Sequence, residues 1–431
     1  MYILIIIVFI LGYAAIAFEH PLKIDKAASS ILTAVLVWTL LIFGGDTILT
    51  GIKDSSTFID EALMHHLGEI SGILFFLLGA MTLVELVDLH GGFDIITSKI
   101  TTLNKTKLLW ILSLVTFFMS AALDNLTTAI IMATLLRKII SDKKDLWMFA
   151  GMIILAANAG GAWSPIGDVT TIMLWIGGQV TASNIILKLV LPSLICLLVP
   201  LILMSFRVKG KLNSVKKVDK DDVISERDKK IVMYFGIGAL LFVPIFKTIT
   251  HLPPFMGVLF GLSILWIITE IIHKRKSNEV KNSYSIIGVL RKIDTPSILF
   301  FLGILLAVSA LQVAGHLNQL AAILDNNVGN IWVINFLIGI FSSVVDNVPL
   351  VAGAIGMYDL SVYPQDHIFW ELLAYCAGTG GSILIVGSAA GVAIMGILKI
   401  DFVWYFKNIS LYALIGYVSG ILTFFSLNYF F

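Results

Sequence analysis

The chain has 431 residues, 58% hydrophobic and 13% charged, with a mean hydropathy of +0.96, whereas a soluble chain is roughly one quarter charged. A net charge of +1 offers no electrostatic case for nucleic-acid binding. The polar stretches Lys209–Lys230 and Lys274–Asp294 are too short and too charged to form a soluble catalytic domain, so composition points to a polytopic membrane protein.

Apolar runs recur from the start of the chain: Tyr2–Phe18, Ile31–Leu49 and Ile70–Val87, each read as long enough to span. The first ends in Ala15-Ile16-Ala17 and resembles a signal peptide. No Lys or Arg precedes it, however, and the duplication described below requires it, so it is expected to be a retained helix. Residues 108–140 follow, with SAALDNLTTAI at their centre and arms of about 15 residues, which predicts a re-entrant hairpin with Asp124-Asn125 at its turn. Residues 145–179 contain Asn158 to Asp168 (NAGGAWSPIGD), where glycines and Pro165 predict a broken helix. The run Ile185–Phe206 completes a first unit, 1–206, and 207–230 form a charged linker. Residues 231–431 form a second unit with a hairpin at 331–360 (FSSVVDNVPLV, Asp346-Asn347) and a broken helix at 366–397 (AGTGGSILIVGS).

The two units match at slowly drifting offsets: 231 for His20 and His251, 224 for Gly79 and Gly303, 222 for the Asp-Asn pairs, and 220 for Gly160 and Gly380. Lys and Arg placement puts Lys209–Lys230 and Lys274–Lys292 in the cytoplasm, and Lys99, Lys105, Lys107, Arg137 and Lys138 with them. The first hairpin then enters from the cytoplasm and the second from outside. The predicted fold is therefore all-α and polytopic, with two inverted repeats. Each has about five transmembrane helices, a re-entrant hairpin and a broken helix, and both termini are outside. The alternative count makes every hairpin arm a full span.

A carboxylate at mid-bilayer costs ~2.5–3.5 kcal/mol even on the lenient scale, so acids at matched positions imply a binding site. Broken helices leave backbone groups that are tolerated at that depth only inside protein or beside a watery cavity. The oxygen inventory around the tips and breaks suits a hard cation such as Na⁺ or Li⁺. It comprises Asp124, Asn125, Ser120, Thr127, Thr128, Asn158, Asp168, Thr170 and Thr171 in the first unit. The second unit contributes Asp346, Asn347, Ser342, Ser343, Thr379, Ser382 and Ser388. No Lys or Arg lies within these segments, which argues against an anion. Burial and neighbouring carboxylates disfavour the charged acid, so one Asp holds a proton or a cation but not both well. Asp124 and Asp346 are expected as the coupled pair, with Asp168 third.

Each residue also has a structural reading. An Asn or Ser at a turn caps a helix, Asp168 caps the second half-helix against its dipole, and glycine pairs serve close packing. Glu85, Asp88 and His90 are expected near the cytoplasmic surface, largely solvated, and His65, His66 and Glu69 at the outer surface. Cys196 and Cys376, both in apolar segments, are read as packing residues.

On these residues the chain resembles an NhaD-type sodium/proton antiporter of the ion transporter superfamily. The most specific stretches are FFLLGAMTLVELVDLHGGFDII, SAALDNLTTAIIMATLLRKI, NAGGAWSPIGDVTTIMLW, SSVVDNVPLVAGAIGMY and GTGGSILIVGSAAGVAIMG. The resemblance implies a multi-pass plasma-membrane exchanger of cytoplasmic Na⁺ or Li⁺ for external H⁺, usually a homodimer, with no cofactor. It implies cation and proton handling by Asp124, Asn125, Asn158, Asp168, Thr170 and Thr171, joined by Ser120, Ser342, Asn347 and Ser382. Gly72 stands where such sequences tend to carry a second acid, and Ile385 where a small hydroxyl residue is common. An ion-coupled anion carrier on the same fold is the alternative. Its Ser-Asn-Thr tips are replaced here by Asp-Asn. An intramembrane aspartyl protease built on Asp124 and Asp168 would leave the duplicated Asp-Asn unexplained.

Overall fold

The computed structural model describes residues 1–97, 102–212, 224–274 and 284–430. Lys99 and most of the two charged loops, on which the predicted sidedness leans, lie outside the described residues, as does the His20 side chain. The described residues form helices and short connections, with one isolated bridge between Asn104 and Lys211. In chain order the main helices are α1 (Tyr2–Ala17), α2 (Lys26–Ile48), α3 (Ser55–Leu89), α4 (Lys105–Leu123), α5 (Asn125–Ile139) and α6 (Lys143–Ala162). Then come α7 (Val169–Ile176), α8 (Ala182–Arg207), α9 (Glu226–Thr250), α10 (Pro254–His273), α11 (Thr295–Val313) and α12 (His316–Asn327). The last six are α13 (Ile331–Ser342), α14 (Asn347–Met357), α15 (Ile368–Gly380), α16 (Ala389–Leu398), α17 (Phe402–Asn408) and α18 (Ser410–Phe430).

Local chemistry explains where these helices start. Asp25, Asp54, Asn104, Asp124, Asp142, Asp168, Asp294, Asn330, Asp346 and Ser388 each place a side-chain oxygen on an N–H of the turn that follows. Seven of these caps are Asp residues. Among the described residues nine helices are long and apolar enough to cross a bilayer: α2, α3, α4, α6, α8, α9, α10, α11 and α18. The α16–α17 pair, bent by 116°, would make a tenth. The helix α1, expected to span, has only 16 residues, about 24 Å at 1.5 Å per residue.

Both expected hairpins appear as helix pairs meeting at an Asp, α4 with α5 at Asp124 and α13 with α14 near Asp346. The first arm departs from expectation. Its helix starts three residues earlier than the apolar run, capped by Asn104, and reaches 19 residues, a spanning length. Both breaks occur where glycine predicts them, after Ala162 and after Gly380, and α7 and α16 resume at Val169 and Ala389.

Matching local contacts occur in residues 1–206 and 231–431. Ser120 Oγ donates to the Ala157 carbonyl (2.6 Å), and Ser342 Oγ to the Ala377 carbonyl (2.7 Å). α4 packs on α6 as α13 packs on α15. Beyond these contacts, α5 packs on α16 and α14 on α7. α2, packed on α1 and α11, flanks this centre, while α6 is almost wholly buried within it. Outside it, Thr181 donates to Asp366 through its backbone N–H (2.6 Å) and its hydroxyl (2.9 Å), and Asn184 donates to the buried Glu371, so the start of α8 is clasped to the start of α15.

Glycine makes the closest of these approaches possible. A Cβ on Gly160 would lie 2.2 Å from the Phe117 carbonyl oxygen, and one on Gly380 would lie 2.1 Å from that of Gly339. The obstacle in both cases is backbone. Gly160→Ala and Gly380→Ala are therefore expected to destabilise the protein by about 1–3 kcal/mol or more, read as a lower Tm of the detergent-purified protein. An unchanged Tm in both would show that the helices can separate without cost.

Candidate functional site

Four helix starts are linked through Asp168 and Asn158, those of α5, α7, α14 and α16. Asp168 is the N-cap of α7. Its Oδ1 accepts from the Thr170 N–H (2.9 Å) and the Thr170 hydroxyl (2.8 Å), while Thr171 Oγ1 accepts from the Asp168 N–H (3.3 Å) to complete a capping box. The dipole-cap reading of Asp168 is thus correct, yet the same carboxylate does more. Asn125, the first residue of α5, donates from Nδ2 to Asp168 Oδ2 at 2.5 Å. Asn347, the first residue of α14, donates from Nδ2 to both Asp168 oxygens at 3.2 and 3.3 Å. One carboxylate, 1% exposed, therefore ties the two Asn residues of the Asp-Asn pairs together.

Asn158 links the two helix breaks. Its Oδ1 accepts from Asn125 Nδ2 (3.2 Å), and its Nδ2 donates to the hydroxyls of Ser382 and Ser388, both at 2.9 Å. Ser388 also caps α16 through the Gly391 N–H (3.1 Å). The chain Ser382/Ser388–Asn158–Asn125–Asp168–Asn347 is continuous and buried. Among the described residues the side-chain carbonyl oxygens of Asn125 and Asn347 accept no hydrogen bond in this chain.

The remaining predicted residues divide. Ser120 and Ser342 spend their hydroxyls on the Ala157 and Ala377 carbonyls, holding helices together at the edge of the network. Asp124 and Asp346, expected as the coupled pair, are both helix caps displaced from the amide chain. Asp124 accepts from the Thr127 N–H (2.8 Å) and hydroxyl (2.7 Å), and Asp346 from the Val348 N–H (3.1 Å). The structure thus gathers Asn125 and Asn347 around Asp168 and sets the two tip acids one residue outside. Asp124 also adopts φ +106°, ψ 159°, a region that side chains avoid at a cost of about 1–3 kcal/mol. Thr128 Oγ1 is buried without a hydrogen-bond partner.

One contact reaches in from outside the tip and break segments: Lys26 Nζ lies 3.9 Å from Asp346 Oδ2. Nothing in the sequence hints at this contact across 320 residues. The expectation that the His90 cluster is largely solvated needs correction, because His90 is buried with its Nε2 2.8 Å from that of His273. His65 and His66 approach Glu69 at 3.5 and 3.4 Å, beside an exposed carboxylate.

Against known proteins, the model of the CitMHS family, described as citrate transporter, matches residues 13–380. Sodium/proton antiporter 1 of Arabidopsis thaliana is 48% identical over 96% of this chain and 70% of its own length, and sodium/proton antiporter 2 of the same plant is 43% identical over 98% and 99%. The Na(+)/H(+) antiporter NhaD of Vibrio cholerae is 32% identical over 98% of this chain and 91% of its own. The chain belongs to the CitMHS family, among its NhaD-type members. As in that family it is a multi-span membrane transporter and not an enzyme.

For this NhaD-type chain, the site chemistry predicts what removing the central amide does. Asn158→Ala leaves Asn125 and two buried serine hydroxyls short of a partner, each loss costing about 1–3 kcal/mol. The variant is expected to unfold several degrees lower than wild type, measured by thermal unfolding of purified protein. Ser382→Ala alone, which leaves Asn158 its bond to Ser388, is expected to cost less.

Proposed function

We propose that the protein exchanges Na⁺ for H⁺ across the plasma membrane, with Asp168 as the group for which cation and proton compete. The observation that carries this reading is the buried Asp168 carboxylate held between the amides of Asn125 and Asn347. A cation there is met by the Asp168 oxygens and, after rotation of the amides, by the carbonyl oxygens of Asn125 and Asn347, ligands that suit a hard monovalent ion. A proton on Asp168 removes the charge that the cation needs. The names of the Arabidopsis and Vibrio relatives support the same pair of ions. Li⁺, closest to Na⁺ in hardness, shares the site.

The inverted repeat belongs to this proposal. The matched contacts of Ser120 and Ser342 and the crossed packing of α5 and α14 support two units of opposite orientation, 1–206 and 231–431, around one midplane site. In such a frame, α4–α5 and α13–α14 act as re-entrant hairpins from opposite faces, the termini lie outside, and two copies of the chain form a homodimer. Rocking of one part against another exposes Asp168 to each side in turn, with cytoplasmic Na⁺ leaving as external protons enter.

The family's description as citrate transporter favours a second reading, an anion carrier on the same fold. Helix N-termini are ready anion sites, and four of them meet here. Three, however, are already capped by the protein's own carboxylates, Asp124, Asp168 and Asp346. An entering anion would find those N–H groups occupied and negative charge facing it. The cation reading is the better match.

The test uses everted membrane vesicles from a host stripped of its own antiporters, with an imposed proton gradient followed by a pH-sensitive dye. Na⁺ and Li⁺ are expected to dissipate the gradient, and Asp168→Asn to abolish the response. Asn125→Ala is expected to raise the half-saturating Na⁺ about tenfold, the factor that matches loss of ~1.4 kcal/mol. No response of the wild type to either cation from neutral to alkaline pH would sink the exchange reading, and citrate uptake into proteoliposomes would then be measured.

A further inference from the structure

Lys26 is the first residue of α2, where a positive charge opposes the helix dipole by roughly 0.3–1 kcal/mol. Its neighbour Asp25 already caps that helix through the Ala27 N–H at 2.7 Å, so α2 does not need a lysine there. What receives the ammonium lies on other elements. Lys26 Nζ stands 3.9 Å from Asp346 Oδ2 at the tip before α14, and 4.5 Å from the ring centroid of Phe300 on α11. The Lys26 and Asp346 side chains keep 25% and 18% of their exposure, so the pair is only partly buried.

Two features make this contact more than a static brace. At 3.9 Å it is longer than the 2.7–2.9 Å of a close charge-assisted hydrogen bond, and the face of Phe300 offers the ammonium an alternative rest by cation–π attraction. In addition, Asp346 directly precedes Asn347, whose amide holds both oxygens of Asp168. Whatever neutralises Asp346 changes the charge that a cation meets at Asp168.

We propose that Lys26 is a tethered competitor of the transported cation: its ammonium neutralises Asp346 while the site holds no cation, and leaves it when one binds. This rests on the exchange reading above and adds to it a positioning residue that acts through Asp346. The arriving Na⁺ then displaces a charge the protein itself supplies, so affinity is held down and the ion is more easily released. Removing Lys26 leaves the site one unit more negative, with no ammonium to displace.

The experiment compares wild type, Lys26→Gln and Lys26→Arg in the same vesicles at one alkaline pH, with the amount of protein matched. Lys26→Gln is expected to lower the half-saturating Na⁺ by at least about threefold, the scale of one partly exposed ion pair. The change should fall on half-saturation more than on the maximal signal, and Lys26→Arg, which keeps the charge, should restore most of the wild-type value. A second measurement needs no transport. In the purified protein, the Na⁺ concentration that raises Tm should drop in Lys26→Gln, and the drop should vanish in an Asp346→Asn background. A half-saturation that is unchanged or raised in Lys26→Gln, with only the maximal signal or the protein level reduced, makes Lys26 a structural brace and overturns the proposal while exchange stands. A wild type without any cation response overturns both.

Discussion

A carboxylate withdrawn from water must be met by hydrogen bonds or by an opposite charge, or it is not tolerated as an anion. Asp168 meets that demand with two side-chain amides, a hydroxyl and a backbone N–H, and its hydrogen bonds include no Lys or Arg. The amides come from residues 222 apart in the chain, so this one carboxylate ties the start of α5 to the start of α14. Asn158 closes the second half of the junction by reaching across to Ser382 and Ser388. Strain or loss anywhere along this line is felt at both helix breaks.

The breaks themselves follow from how closely the helices approach. Gly160 on the Phe117 carbonyl and Gly380 on the Gly339 carbonyl leave no room for a methyl group, and the serines Ser120 and Ser342 turn that proximity into hydrogen bonds. Asp168 and Ser388 cap the helices that resume after the breaks, each accepting from a first-turn N–H. The same residues therefore end one structural problem and begin a chemical one. This economy explains why a chain with so few charges places acids at its centre.

The two tips are alike in sequence and unlike in detail. Asp124 caps α5 from a left-handed backbone, held by Thr127, whereas Asp346 caps α14 from an ordinary conformation with Lys26 beside it. A duplicated frame thus carries an asymmetric charge distribution: one tip acid has an internal counter-ion and the other has a hydroxyl. The occupied helix caps also bear on the sign of the cargo, since negative charge already fills the positions an anion would seek.

By itself, the sequence determined the helical class, the helix breaks and the membership of Asn125, Asn158, Asp168, Asn347 and Ser382 in one polar set. These rest on local signals, because hydropathy, glycine and capping residues act within a turn or two of where they stand. The start of α4 departs from the apolar run for the same kind of reason, because the Asn104 cap opens the helix at Lys105. Only the tertiary structure decided the order among the acids. In sequence the Asp-Asn pairs favour Asp124 and Asp346 over Asp168, and which acid receives both amides depends on how α5, α7 and α14 converge. The Lys26–Asp346 contact and the burial of His90 against His273 were equally illegible, since charge pairing and burial across hundreds of residues are set by packing and leave no trace in local pattern.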